Sequence, residues 1–212
     1  MTIAEMHSEL ERKLRNLDVV LDIPTSEISK TFYEALYKFI DKYYESFEED
    51  ERSRKALSLL TVTDTISVSA DSPILPNSYK AVISSGVLYV VLELVTISGE
   101  VVKVKPTTLD SYRINLDNPF KKPYSKLVWR VEMIPTRTSN KLHLLILQSG
   151  TTLTGACYTL GYIKKPTYMA IEDSTSGTDE MEVPEIFQYE IIDMALQMLL
   201  QSHSILNSKQ NV

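Results

Sequence analysis

Residues 161–201 read GYIKKPTYMAIEDSTSGTDEMEVPEIFQYEIIDMALQMLLQ. The stretch parses as strand, acidic loop and helix. Tyr162 and Ile163 end an apolar run, and Pro166 and Pro184 bracket the loop. From Pro184 the period is helical: Phe187, Ile191, Ala195, Met198 and Leu199 recur at three- and four-residue steps and share one face. Proline at a first helical position loses nothing, because that amide has no intrahelical partner. Glu182 and Glu185 put negative charge at the positive end of the helix dipole. Such a helix needs a partner with a matching apolar stripe, and the start of the chain offers one.

That partner is the segment 25–47, where Ile28, Phe32, Ala35, Leu36, Phe39, Ile40, Tyr43 and Phe47 give an apolar face about five turns long. Thr25 or Ser26, just after Pro24, is the expected N-cap. Phe187, Ile191, Ala195 and Met198 are expected to dock on this face, since a stripe that long left exposed invites aggregation. The aromatics Tyr33, Tyr37 and Tyr44 read as a partly exposed rim of the same helix. Before it, Thr2 and Glu5 form a capping box, and Ile3, Met6, Leu10, Leu14 and Leu17 make one stripe of a first helix. Asp18 to Asp22 reads as a connector. After Glu51, Arg52 to Leu60 either continues the second helix or starts a short third one.

Between residues 61 and 171 the period changes. VLYVVLELVTI, Val87 to Ile97, is rich in β-branched residues and bounded by Gly86 and Ser98-Gly99, which marks a strand. Val101 to Val104 comes after a tight turn and predicts a hairpin. Leu127 to Met133, Leu142 to Leu147 and Thr151 to Tyr162 add three more, mostly antiparallel by connection length. Thr107 or Thr108 can cap a single helical turn after Pro106. The fold class is therefore α+β: N- and C-terminal amphipathic helices packed as a helical body (1–60 and 172–212), with an inserted antiparallel β-rich, sandwich-like region (61–171).

Charge obeys the same division. Residues 1–60 hold nine Lys/Arg and thirteen Asp/Glu, residues 61–171 twelve and seven, residues 172–212 one and eight. The middle is basic and both flanks are acidic. The run 172–182 is polar and acidic, a composition that cannot bury enough apolar surface to order itself, and it is expected to order only against a neighbour.

Signatures of chemistry are sparse. His7, His143 and His203 follow no metal-ligand spacing, and His143 sits in an apolar strand as a core histidine would. The six glycines form neither a Walker loop nor a dinucleotide fingerprint, and no Gly-x-Ser-x-Gly elbow occurs. Cys157 is the only cysteine and reads as a buried, inert thiol. No run approaches the ~20 apolar residues of a membrane span, and the first residues lack the order of a signal peptide, so synthesis in a cytoplasm is expected. The reading is of a non-enzyme without cofactor or metal.

The order of elements resembles a known family. Two N-terminal helices, a β-rich insert, a last strand ending Tyr162-Ile-Lys-Lys-Pro166, an acidic stretch and a helix opening Val183-Pro-Glu are similar to head-to-tail connector proteins of short-tailed bacteriophages. These are the adaptor or tail-tubular A-like ring proteins, and the resemblance is strongest to the ring proteins of crAss-like phages. It is carried by TIAEMHSELERKLRNL (2–17), NPFKKP (118–123), YIKKP (162–166) and EVPEIFQYEIIDMA (182–195). The segment 61–79 matches no part of that pattern.

The resemblance implies a structural virion protein of the neck or tail. It would form a homo-oligomeric, dodecameric ring that meets the portal protein and the next tail or ring protein while double-stranded DNA passes without sequence-specific grip. Lys121, Lys122, Lys126, Arg130, Lys164 and Lys165 are the candidate subunit-interface or channel residues. The competing reading is a non-catalytic β-sandwich binding or adhesin accessory domain, with Tyr79, Tyr89, Tyr112, Tyr124 and Trp129 stacking on sugars.

Overall fold

The structure is a computed structural model and describes residues 1–17, 23–70, 75, 77–115, 118, 120–133, 140–148, 151–153, 156–167 and 181–210. The chain divides into two compact units, a helical one (1–60 with 166–212) and a β-rich one (61–165). The connector 18–22 and most of the acidic stretch, 172–180, lie outside the described residues.

In the helical unit α1 spans Ile3–Asn16. Its capping box forms as the sequence requires, the Glu5 N–H donating to Thr2 Oγ1 (3.2 Å) and the Thr2 N–H to Glu5 Oε2 (2.8 Å). The second helix, α2 (Thr25–Tyr44), starts one residue earlier than a Thr25 cap and two earlier than a Ser26 cap would place it: Pro24 is the N-cap and no side chain caps it. The Pro24 carbonyl takes the Glu27 and Ile28 amides instead (2.9 and 3.2 Å), and the Ser29 hydroxyl turns back to the Thr25 carbonyl. A separate short helix, α3 (Glu51–Ala56), is capped by Asp50, which accepts from the Arg52 and Ser53 amides.

The last helix of the chain runs Glu185–Gln210 and packs against both α1 and α2. Pro184 stands immediately before it, its carbonyl accepting the Phe187 amide (2.9 Å). The Phe187 ring meets Phe39 and Tyr43 edge-on at 6.1 and 5.6 Å between centroids, and Ile191, Ile192, Ala195 and Leu199 are buried. Met198 is half-buried. At the rim Glu190 accepts from Lys42 (2.6 Å) and Tyr43 (2.8 Å), and Asp193 from Lys13. The aromatics of α2 thus divide as expected, Phe32, Phe39 and Tyr43 in the core and Tyr33, Tyr37 and Tyr44 on its margin. No described helix is long and apolar enough to cross a membrane.

The β-rich unit is one seven-stranded sheet rather than two facing layers. Its strands are β1 (Thr61–Ser67), β2 (Ser78–Ile83), β3 (Val87–Ile97), β4 (Glu100–Pro106), β5 (Leu127–Met133), β6 (Lys141–Ile146) and β7 (Ala156–Lys164), in the order β1-β7-β3-β4-β5-β6-β2. The sheet curls into a half-barrel. Just past β1, Ser69 exchanges both backbone hydrogen bonds with Lys80 of β2 (3.0 and 2.8 Å), a single bridge between the two edges of the sheet. The hairpin β3–β4 turns on Ser98 and Gly99, both at positive φ (51° and 87°), as a two-residue turn matching strand twist demands.

Alternation sorts the side chains. Tyr79, Ala81, Ile83, Val95, Val102, Val128, Leu145, Tyr158 and Leu160 fill the inside of the curl. On the outside Trp129, Val131, Leu142, Leu144 and Ile146 form a second cluster under Tyr112. Cys157 is buried and forms no disulfide.

Candidate interaction site

All described strand pairs but one are antiparallel; β4 and β5 run parallel, with Lys105 opposite Trp129. Parallel neighbours need a crossover, because the chain must return to the end where it started. That crossover, residues 107–126, carries a short helix and a basic turn. The helix, α4 (Leu109–Asn115), is capped by Thr108, whose Oγ1 accepts the Ser111 amide (3.1 Å). It is pinned to the sheet by the Thr107 N–H donating to the Arg130 carbonyl (2.8 Å) and by Tyr112, which packs edge-on against Trp129 at 6.3 Å.

The turn is organised by Asn118. Its carbonyl accepts the Lys121 and Lys122 amides (3.1 Å each), and its side-chain Oδ1 accepts the Phe120 amide (3.0 Å). This local bonding holds Phe120 out of the core, 96% exposed, between α4 and two lysines. Helix, turn and strand ends enclose a pocket of about 440 Å³. Lys105, Lys121 and Lys122 border it, Phe120, Tyr124 and Trp129 supply aromatic surface, and Thr107, Thr108, Ser111 and Asn115 complete the wall. Among the described residues no acid lines it. Trp129 is 3% exposed and its Nε1–H has no hydrogen-bond partner among the described residues.

The other expected residues are placed elsewhere. Lys126 is exposed after the turn. Arg130 points inside the curl, where its guanidinium lies 2.8 Å from Glu93 and 3.1 Å from Glu132. Lys164 and Lys165 sit at the end of β7, Lys164 opposite Val87 and the Lys165 amide on the Gly86 carbonyl (2.7 Å). The aromatics Tyr79, Tyr112 and Trp129 are buried, so only Tyr124 and the half-buried Tyr89 of that set offer a ring to solvent.

Around Arg130 runs a polar network that crosses the curl. Tyr158 OH donates to Glu93 Oε1 (3.1 Å) and meets His143 Nδ1 at 2.9 Å; Lys141 lies 3.3 Å from Glu132 at the half-exposed end. Burial pushes the Glu93 carboxyl up, against the pull of Arg130. Burial, with the nearby Arg130 charge, holds the His143 imidazole down at about 3 and hence neutral. Burial and the neighbouring Glu93 push the Tyr158 phenol up. Each member of the network lies within bonding or ion-pair distance of another, which makes it internal support for the half-barrel. Among the described residues no group of His, Cys, Asp and Glu could hold a metal ion.

None of the curated proteins matches the chain. The family model for phage tail ring protein 3/4 matches residues 24–210, which takes in all but the first helix and spans both units. The chain belongs to the phage tail ring protein 3/4 family, a structural and non-catalytic family of the phage tail.

Proposed function

We propose that this ring protein assembles as a closed, dodecameric ring in the phage neck or tail, joins the portal to the next ring, and surrounds the passing DNA. A closed ring needs a heterologous contact, in which one patch of a subunit meets a different patch of the next. The observation that carries the reading is the charge division. The basic turn with Lys121 and Lys122, and Lys126 beyond it, belongs to a unit with a net positive charge, and the flanks that build the helical unit are net negative. Opposite patches steer such an encounter and disfavour the self-matching dimer.

Light scattering and electron microscopy of the purified chain, alone and with a portal protein, test it. Annular particles of uniform size are expected; a monomer under both conditions overturns the reading. DNA should pass without being gripped, since a chain of net charge −6 neutralises few phosphates even if Lys164 and Lys165 face the channel. Anisotropy with duplex DNA at moderate salt should give weak, sequence-independent binding, and a nanomolar sequence-selective complex would refute it.

A further inference from the structure

We infer that the crossover pocket is the socket for a carboxylate-bearing segment of a second copy, residues 172–180 (EDSTSGTDE). The inference rests on the ring reading and gives its subunit contact a chemistry.

The pocket asks for an anion. Its rim carries Lys105, Lys121 and Lys122, which have no ion pair among the described residues, and the described residues of its wall include no acid. Trp129 adds an independent demand. An indole N–H can only donate, and this one is buried against the pocket with no acceptor among the described residues. A buried donor without a partner is a cost that an incoming acceptor removes. Phe120 and Tyr124 flank the cavity with exposed apolar surface, which suits the methylenes and methyls of a peptide bearing those carboxylates. A duplex, in contrast, presents a row of phosphates and calls for an extended ridge of cations; here three lysines border one concavity.

The chain itself supplies a fitting occupant. Residues 172–180 hold Glu172, Asp173, Asp179 and Glu180 and no Lys or Arg. The helical unit is described up to Thr167 and again from Met181. Those two ends lie together, because the Thr167 amide donates to Glu182 Oε2 (3.1 Å). The thirteen residues between therefore start and finish at one spot, and such an excursion reaches out at most roughly 20 Å. That is long enough to enter a neighbour's pocket and short enough to fix where that neighbour must stand.

The experiment uses the full chain and its own reporter, because Trp129 is the sole tryptophan and lies in the pocket wall. The synthetic peptide EDSTSGTDE is titrated into a variant in which Glu172→Gln, Asp173→Asn, Asp179→Asn and Glu180→Gln empty the socket. A saturable shift in Trp129 emission is expected. It should be at least tenfold weaker when Lys121→Glu and Lys122→Glu are added, and absent with the all-amide peptide. Circular dichroism checks that each variant is folded, and Lys121→Ala with Lys122→Ala replaces the reversal if it is not. In the unaltered chain the emission should change with protein concentration, in step with particle size. No peptide response, an equal response to the amide peptide, or a response to duplex DNA alone overturns the inference. So does an emission independent of concentration but altered by the four neutralisations, which would put the segment in its own chain's pocket. Rings that form normally from the four-fold variant overturn the socket and leave the ring reading standing. A peptide response without rings, with or without portal, upholds the socket and removes the ring.

Discussion

Replacing Arg130 with methionine tests whether the half-barrel rests on its internal ion pair. The Glu93 side chain is 7% exposed and that of Arg130 11%, and 2.8 Å separates them. Arg130→Met keeps most of the apolar stem and deletes the charge, so Glu93 is left buried without its cation. Breaking a buried pair by removing one partner costs about 3–5 kcal/mol. Tyr158 continues to donate to Glu93, which argues for the lower end, about 3 kcal/mol. The contact with the more exposed Glu132 adds less. For a chain of this size such a loss lowers the melting midpoint by roughly 6–12 °C. Trp129, beside Arg130 in β5, reports the transition by fluorescence. Burial already raises the Glu93 carboxyl, and loss of Arg130 raises it further, so the deficit should shrink as pH falls and the carboxyl takes up its proton. Replacing both partners together, Glu93→Leu with Arg130→Met, should recover most of the loss, because the desolvation penalty goes with the charges. A midpoint lowered by less than about 2 °C in the single variant would refute the reasoning. So would a double variant as unstable as the single one.

Three further outcomes are expected. His143 is held neutral with its imidazole near 3, below the usual 6.5, so the unfolded chain binds a proton that the folded chain refuses; stability is full above pH 6.5 and falls toward pH 3 by at most about 1.4 kcal/mol per pH unit. Denaturant titrations across that window should show this slope, and His143→Gln should flatten it. Ala195→Asp buries an unpaired charge in the helical unit and should cost about 3 kcal/mol or more, and an unchanged thermal transition would contradict the docking of the last helix. Gly161 in β7 is so close to Leu92 that an added Cβ would stand 2.9 Å from the Leu92 Cβ; Gly161→Ala should cost about 1–3 kcal/mol in urea unfolding, and a variant as stable as the parent would show that β3 yields freely.

The helical unit was legible because its period is unmixed. Phe32, Leu36, Phe39 and Tyr43 on one helix and Phe187, Ile191 and Ala195 on another each name a face, and two long apolar faces in one small unit have few alternatives but each other. Strands β3, β5 and β6 announced themselves by β-branched or alternating runs. Strands β1 and β2 did not. Thr61–Ser67 is a threonine-rich edge with mostly exposed side chains, and Ser78–Ile83 is a short run after a proline-rich stretch, so neither has a strong period. The Glu93–Arg130 pair was hidden for a different reason. Glu93 sits inside an apolar run, and its partner reaches it across β4, a neighbour relation set by sheet order and not by spacing. Lys121 and Lys122 were visible as charges, but the pocket was not. Lys105 and Trp129 meet only because β4 and β5 pair in parallel, a choice no local signal records.

The division of the helical unit between the two flanks of the insert sets an order on synthesis. The β-rich unit is a continuous stretch, residues 61–165, and can close as soon as it clears the ribosome. The helices α1 and α2 emerge first but find their partner last, since Phe187, Ile191 and Ala195 come more than a hundred residues later. At ribosomal speeds the apolar face of α2 waits roughly 10–30 s for its cover. A chain stopped anywhere inside the insert would display that face permanently, while a finished chain seals it in one step. Only the completed polypeptide is thus free of a sticky surface that would compete with ordered assembly.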